Sequence, residues 1–169
     1  MIDPRYAQTM ARYNIWQNTQ LVPMLAAMTA DELAADRGAF FGGLLATANH
    51  LLWGDTLWMS RFDSTISGPA CAAADHTRLH DSLSGWTEDR RRMDKEIMRW
   101  ADALTPADLA EDMTWFSAMK PGEMSSPIST AVVHFFNHQT HHRGQIHAML
   151  TAAGRNAPVS DLAFMPKDS

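Results

Sequence analysis

The sequence predicts an all-α protein, an antiparallel four-helix bundle with a short extra helix or hairpin and a folded-back C-terminal tail. Three observations carry that expectation. Four long stretches place apolar residues at helical spacing. Gly, Pro, Ser and Asp cluster between those stretches. Helices of about 20 residues joined by short or medium connections pack side by side as bundles. The chain has 169 residues, the size of one domain, and residues 1–169 read as a single unit without an internal repeat. Apolar residues make up 46% of it, with six Trp, seven Phe and twelve Met, enough to fill a core and unlike a disordered chain.

The first helix is expected from about Pro4 to Met28. Tyr6, Tyr13, Trp16, Leu21 and Leu25 fall near helical spacing, Pro4 suits a first turn, and Pro23 is a candidate kink. The second is expected from about Phe40 to Phe62. Leu44, Ala48, Leu51, Trp58 and Phe62 share one face, while Trp53 and Leu57 occupy another. A helix apolar nearly all round belongs at the centre. Gly68, Pro69 and four alanines between Asp63 and Asp75 predict a crossing loop.

The third helix, about His76 to Leu104, is the most polar, with Leu79, Leu83, Trp86, Met93, Ile97 and Trp100 as its inner stripe. Thr105 and Pro106 form a cap and first-turn signal for a short helix. Between Met113 and Met124 the turn signature Lys120-Pro121-Gly122-Glu123 separates two short runs that can pair as a hairpin. Ser126 and Pro127 open the last long helix, which ends near Gly154. In the tail from Asn156 to Ser169, Leu162, Phe164 and Met165 are expected to fold back over the helices.

Composition also narrows function. A formal net charge of -5 disfavours a nucleic-acid binder, which presents a basic face. The basic cluster Arg90-Arg91-Arg92 sits among Glu88, Asp89, Asp94 and Glu96 and reads as a solvated helix face. The single cysteine, Cys71, cannot form an internal disulfide and has no close basic neighbour to activate it, consistent with a reducing compartment. The first residues lack the basic start and apolar stretch of a secretory signal, and no run is apolar enough to span a bilayer. A cytoplasmic protein without membrane or nucleic-acid partners is the expectation. Broad apolar faces fit a homodimer, twofold pairs being the commonest assembly.

Five of the eight histidines lie between positions 134 and 147. At ~100° per residue, the apolar residues Ile128, Ala131, Val132, Phe135, Ile146, Met149 and Leu150 define a buried stripe. His142 lies roughly 40° and His138 roughly 80° from its centre, whereas His134 and His141 point roughly 120° to 140° away. The inward pair, His138 and His142, is spaced i, i+4, which sets two imidazoles one turn apart on one face and within reach of one metal ion. A third protein ligand is needed to hold a divalent ion against water. His50, near the middle of the all-round apolar second helix and followed by Asp55, is the best donor, because a buried imidazole must find a hydrogen bond or a ligand. His76 and His80, also i, i+4, lie beside Asp75 and Asp81 and read as a solvated helix start.

The run His134-Phe135-Phe136-Asn137-His138-Gln139-Thr140-His141-His142-Arg143-Gly144-Gln145 closely resembles the last-helix motif of the DinB-like (damage-inducible) family. That family groups with mycothiol-dependent enzymes in a superfamily of metal-binding bundles. Tyr13-Asn14-Ile15-Trp16-Gln17-Asn18 resembles its first helix, His50-Leu51-Leu52-Trp53-Gly54-Asp55 its second, and Ser160-Asp161-Leu162-Ala163-Phe164 its tail. The resemblance implies a four-helix bundle with metal ligands His50, His138 and His142, the three that burial and spacing select.

Three neutral imidazoles leave a divalent ion charged and open to a further ligand, as in catalytic sites, and suit zinc or nickel. Similar proteins use such a site to activate a low-molecular-weight thiol, so a thiol S-transferase acting on a small-molecule substrate is expected. Asp55, Gln139 and Arg143 are candidates to orient the ligands. A metal-dependent hydrolase and a non-catalytic metal-binding stress-response protein are the alternatives. No His-Glu-x-x-His pattern suggests a metalloprotease.

Overall fold

A computed structural model describes residues 2–117 and 121–167. The protein is mostly helical, with four long helices and one small antiparallel sheet. Helix α1 spans Pro4–Ala26: the Asp3 carboxylate accepts the Tyr6 N–H at 3.3 Å, Pro4 takes the first turn, and the helix runs on through Pro23. A short helix α2, Ala30–Ala34, follows. It was not expected, yet its signature is legible: Thr29 and Glu32, three apart, each bond the other's backbone N–H in a capping box.

Helix α3, Leu44–Phe62, begins four residues later than Phe40, because Gly42 adopts φ 77, a left-handed conformation that a helix cannot include. Helix α4, Leu83–Ala103, likewise starts later than His76: Ser82 caps it by accepting the Gly85 N–H, and residues 73–78 form a separate 3₁₀ turn. The short helix expected after Pro106 is a 3₁₀ turn, Asp108–Ala110. The hairpin expected around Met113 to Met124 is present as β1, Asp112–Ser117, and β2, Gly122–Pro127, with Trp115 opposite Met124. Of its turn signature, Lys120 lies outside the described residues. The chain passes directly from β2 into α5, Ile128–Ala152, and Gly154 at φ 68 ends that helix.

Helix α3 packs against both α4 and α5, and α1 packs against α4, which is the central position its all-round apolar surface predicts. Leu21, Leu25, Leu44, Leu52, Met59, Trp86, Ile97, Phe135, Phe136 and Ile146 fill the core, and the Trp86 indole donates to the Ala48 carbonyl at 2.9 Å. No helix of the described residues is long and apolar enough to cross a membrane.

Two expectations are corrected. Arg90 is not on a solvated face. It is 1% exposed, bonds Asp55 at 2.6 Å and Asp94 at 2.8 Å, and so joins α4 to α3. Position 90 fills the gap between Trp86 and Met93 in the inner stripe of α4, so helical geometry turns it inward while Arg91 and Arg92 stay exposed. The tail returns to the helices, but of its expected apolar anchors only Met165 is half-buried, Leu162 being 44% and Phe164 68% exposed; Ala157 and Pro158 pack instead. Hydrogen bonds add to the anchoring. Tyr13 Oη donates to the Ser160 carbonyl at 2.6 Å, Gln17 Nε2 donates to the Val159 carbonyl at 2.7 Å, and the Val159 N–H donates to Gln20 Oε1 at 3.0 Å.

Candidate metal centre

His50 stands on the second turn of α3, and His138 and His142 on consecutive turns of α5. Because these helices pack against each other, the three rings converge. His50 Nε2 lies 3.1 Å from His138 Nε2 and 3.1 Å from His142 Nε2, and the three residues form a group that could hold a metal ion. His134 and His141 are exposed, His138 is half-buried and His142 is 6% exposed, the order that the angles along the helix predict.

Proton counting tests whether an ion fits. A neutral imidazole carries one N–H. His142 Nδ1 meets the Gln145 side-chain oxygen at 2.8 Å, an atom that only accepts, so in this assignment the His142 proton sits on Nδ1 and its Nε2 is a bare lone pair. The Gln145 amide nitrogen meets His141 Nε2 at 3.2 Å, consistent with that amide orientation. His50 Nδ1 lies 2.9 Å from His76 Nδ1, and with the His50 proton donated there its Nε2 is bare too. Two lone pairs facing each other at 3.1 Å repel unless a cation lies between them. A tetrahedral ion about 2.05 Å from each nitrogen would separate them by about 3.3 Å. The residues present therefore fit a shared ion.

The surroundings favour the neutral rings. Burial, followed by the neighbouring His142 and His76, holds His50 down to about 3. Burial, then His142 and His50, holds His138 down to about 3. Burial also lowers His142, with the Gln145 hydrogen bond opposing it. Metal ligation requires deprotonated imidazole, and all three shifts favour that state.

Phe41 covers one side, its ring centre 4.2 Å from that of His50 and 5.5 Å from that of His142. Gly54 makes room for the third ring: a Cβ there would stand 2.7 Å from His138 Cε1, so only the absence of a side chain lets α5 bring this ring in. His138 Nδ1 is buried without a hydrogen-bond partner among the described residues, which leaves packing to fix that ring.

The candidate orienting residues occupy a different layer. Asp55, Gln139 and Arg143 are all buried, but Asp55 binds Arg90 and Arg143 donates to Asn14 Oδ1. Asn14 and Asn18 also donate to Asp94, at 3.0 and 2.9 Å. This polar layer lies between the helices, and among the described residues no hydrogen bond from it reaches the three histidines. The residues that do bond the triad are His76 and Gln145. His76 is half-buried on the 3₁₀ turn 73–78 and touches His50, which corrects its reading as a solvated helix start; His80 pairs with Asp89 at 3.1 Å. Only Gln145, one turn past His142, carried a sequence signal, the i, i+3 spacing. His76 arrives from a loop whose path spacing cannot give.

The DinB family model matches residues 1–168. The chain is 23% identical over 165 residues to the protein named Protein DinB of Bacillus subtilis (strain 168), with 96% of each chain covered.

Proposed function

Because the chain belongs to the DinB family, we propose that His50, His138 and His142 hold one divalent ion, zinc or nickel, and that the protein is a metal-dependent S-transferase acting on a low-molecular-weight thiol. The observation that carries this reading is the convergence of three Nε2 atoms, two of them with the opposite nitrogen engaged by His76 or Gln145. On this reading the four long helices are an antiparallel bundle whose α3–α5 seam presents the site. An ion held by three neutral imidazoles keeps its full charge and supplies Lewis acidity, drawing the pKa of a bound thiol or water toward neutrality.

The chain's own residues do the rest. His76 and Gln145 fix the tautomers and ring planes of His50 and His142, as outer partners of metal ligands do. Phe41 shields the centre from water on one side. A thiol is favoured over water as the nucleophile because no carboxylate hydrogen-bonds to the three rings among the described residues. Asp55, the nearest in sequence to His50, is committed to Arg90. Water needs a proton acceptor positioned beside it. A thiol with a pKa near 8.5 loses its proton with far less help.

The test is metal analysis of the purified protein, then titration of the cobalt-substituted form with 2-mercaptoethanol and a small electrophile. Expected are one equivalent of metal, a thiol-dependent change in the visible spectrum and thiol-dependent consumption of the electrophile. Ester hydrolysis without thiol would replace this reading with a hydrolase, and tight metal binding with neither activity would replace it with a storage or interaction role.

Gly54 gives a second check on the same ligands. Gly54→Ala forces the His138 ring back from α3 and should lower metal affinity roughly 10- to 100-fold, the range seen when groups around a metal site are disturbed. Competition against a chelator measures it. An affinity equal to the unaltered protein's would remove His138 from the ligand set.

A further inference from the structure

A cation stands at the far end of the same seam. Arg61 lies three turns beyond His50 on α3, within about 20° of the same face and about 16 Å along the axis. Its guanidinium carbon sits 4.7 Å from the Trp58 ring centre and 5.5 Å from that of Trp115 on β1, and the two indoles meet edge to face at 5.5 Å. Ring contacts join this clamp to the metal centre: Trp58 to His134 at 5.0 Å, and His134 to His138 at 6.1 Å.

Arg61 also differs from the other arginines removed from solvent. Arg12 donates to Thr9 at 3.5 Å, Arg37 to the Glu32 carbonyl at 2.8 Å, Arg90 to Asp55, and Arg143 to Asn14. Half-buried Arg61 has no hydrogen bond or ion pair to a protein oxygen among the described residues. Three acidic side chains border the cavity that Arg61 also lines: Asp63 binds Arg99 and Thr65, Asp108 binds Thr105, and Glu111 is exposed and makes no ion pair with Arg61 among the described residues. The two indole faces stabilise the cation but leave its five planar donors unanswered, and that fork matches a carboxylate. Burial already works against its charge.

We propose that the Trp58–Arg61–Trp115 clamp is a subsite that binds a carboxylate carried by the small-molecule thiol whose sulfur is activated at the three-histidine centre. Helical side chains lean toward the N-terminus of their helix, so the Arg61 head leans toward His50, and the carboxylate sits roughly 10 to 15 Å from the sulfur. An extended tripeptide spans about 10 Å, the low end of that range, so the ligand class is an acidic thiol of at least tripeptide size. The proposal rests on the reading of the triad as a metal site.

The test compares glutathione with its diethyl ester, and both with 2-mercaptoethanol, on metal-loaded wild type, Arg61→Gln and Arg61→Lys, with metal content and thermal midpoint measured for each. Expected in the wild type is at least tenfold tighter binding of the acid than of the ester. Arg61→Gln should erase that preference and Arg61→Lys retain part of it, while metal content, folding and 2-mercaptoethanol binding stay unchanged. A preference that survives Arg61→Gln, or is absent from the wild type, overturns the subsite. Tryptophan fluorescence of metal-free protein titrated with S-methylglutathione and its diester separates the two ideas. An acid preference lost in Arg61→Gln supports the subsite even where metal analysis has ended the metal reading, and no preference there overturns it.

Discussion

His142→Ala should purify without its metal, falling from about one equivalent to a small fraction, whereas His134→Ala keeps the full complement. The first substitution leaves two imidazoles for an ion that needs at least three protein ligands, and it also frees Gln145 from its acceptor role. The loss in affinity should exceed 100-fold, the upper end of what disturbing the groups around a site costs. His134 is exposed and touches His138 only ring to ring, at 6.1 Å, so its removal is a control for the histidine-rich helix as a whole. Stability gives a second readout. Metal at 1,000 times its dissociation constant adds about 4 kcal/mol to the folded state, so chelation should lower the unfolding midpoint of the wild type and leave that of His142→Ala unmoved. A chelator that shifts both equally would separate the metal from this triad.

Arg90→Met should destabilise the fold by about 3 to 5 kcal/mol, a large share of the roughly 5 to 15 kcal/mol that holds a domain together. Arg90 is the cation between two buried carboxylates. Burial raises Asp55 and Asp94, and Arg90 is the chief influence pulling both back down. Without it, two acids from neighbouring helices remain in the interior, each without its cation. Pairing the change with Asp55→Asn and Asp94→Asn removes the stranded charges and should recover most of the loss, since a whole buried ion group is replaceable where half of one is not. Urea unfolding distinguishes the cases. A loss below about 1 kcal/mol in the single variant would mean that water reaches the cluster.

The four long helices and the order of inward and outward histidines on the last of them were legible because each follows from angle along a helix. His142 and His138 could be placed by counting from apolar neighbours, and His50 by its position in a helix apolar nearly all round and by the family resemblance. Arg90 could have been placed in the same way: the stripe Trp86, Met93, Ile97 and Trp100 runs straight through it, and the acidic neighbours that made it look solvated include Asp94, its buried partner. What counting could not reach was geometry set by loops. His76 meets His50 only because residues 63 to 82 fold back along α3. Phe41 reaches the triad because Gly42 turns the chain before α3 begins. Asp55, Gln139 and Arg143 are polar residues on inward faces, but whether such groups face the metal or one another depends on which helix lies opposite: α4 supplies the partner of Asp55 and α1 that of Arg143.

The anchoring of the tail also bears on how the chain acquires its shape. Tyr13, Gln17 and Gln20 on α1 bond Val159 and Ser160, partners 139 to 147 positions away. Contacts of such separation close a very large loop, and their entropy must be offset by structure already formed between them. At translation rates of about 5 to 20 residues per second, α1 waits roughly 7 to 30 seconds for these partners to be made. During that interval its Tyr13 and Gln17 face remains open, and a chaperone or a second nascent chain has its best opportunity to occupy it.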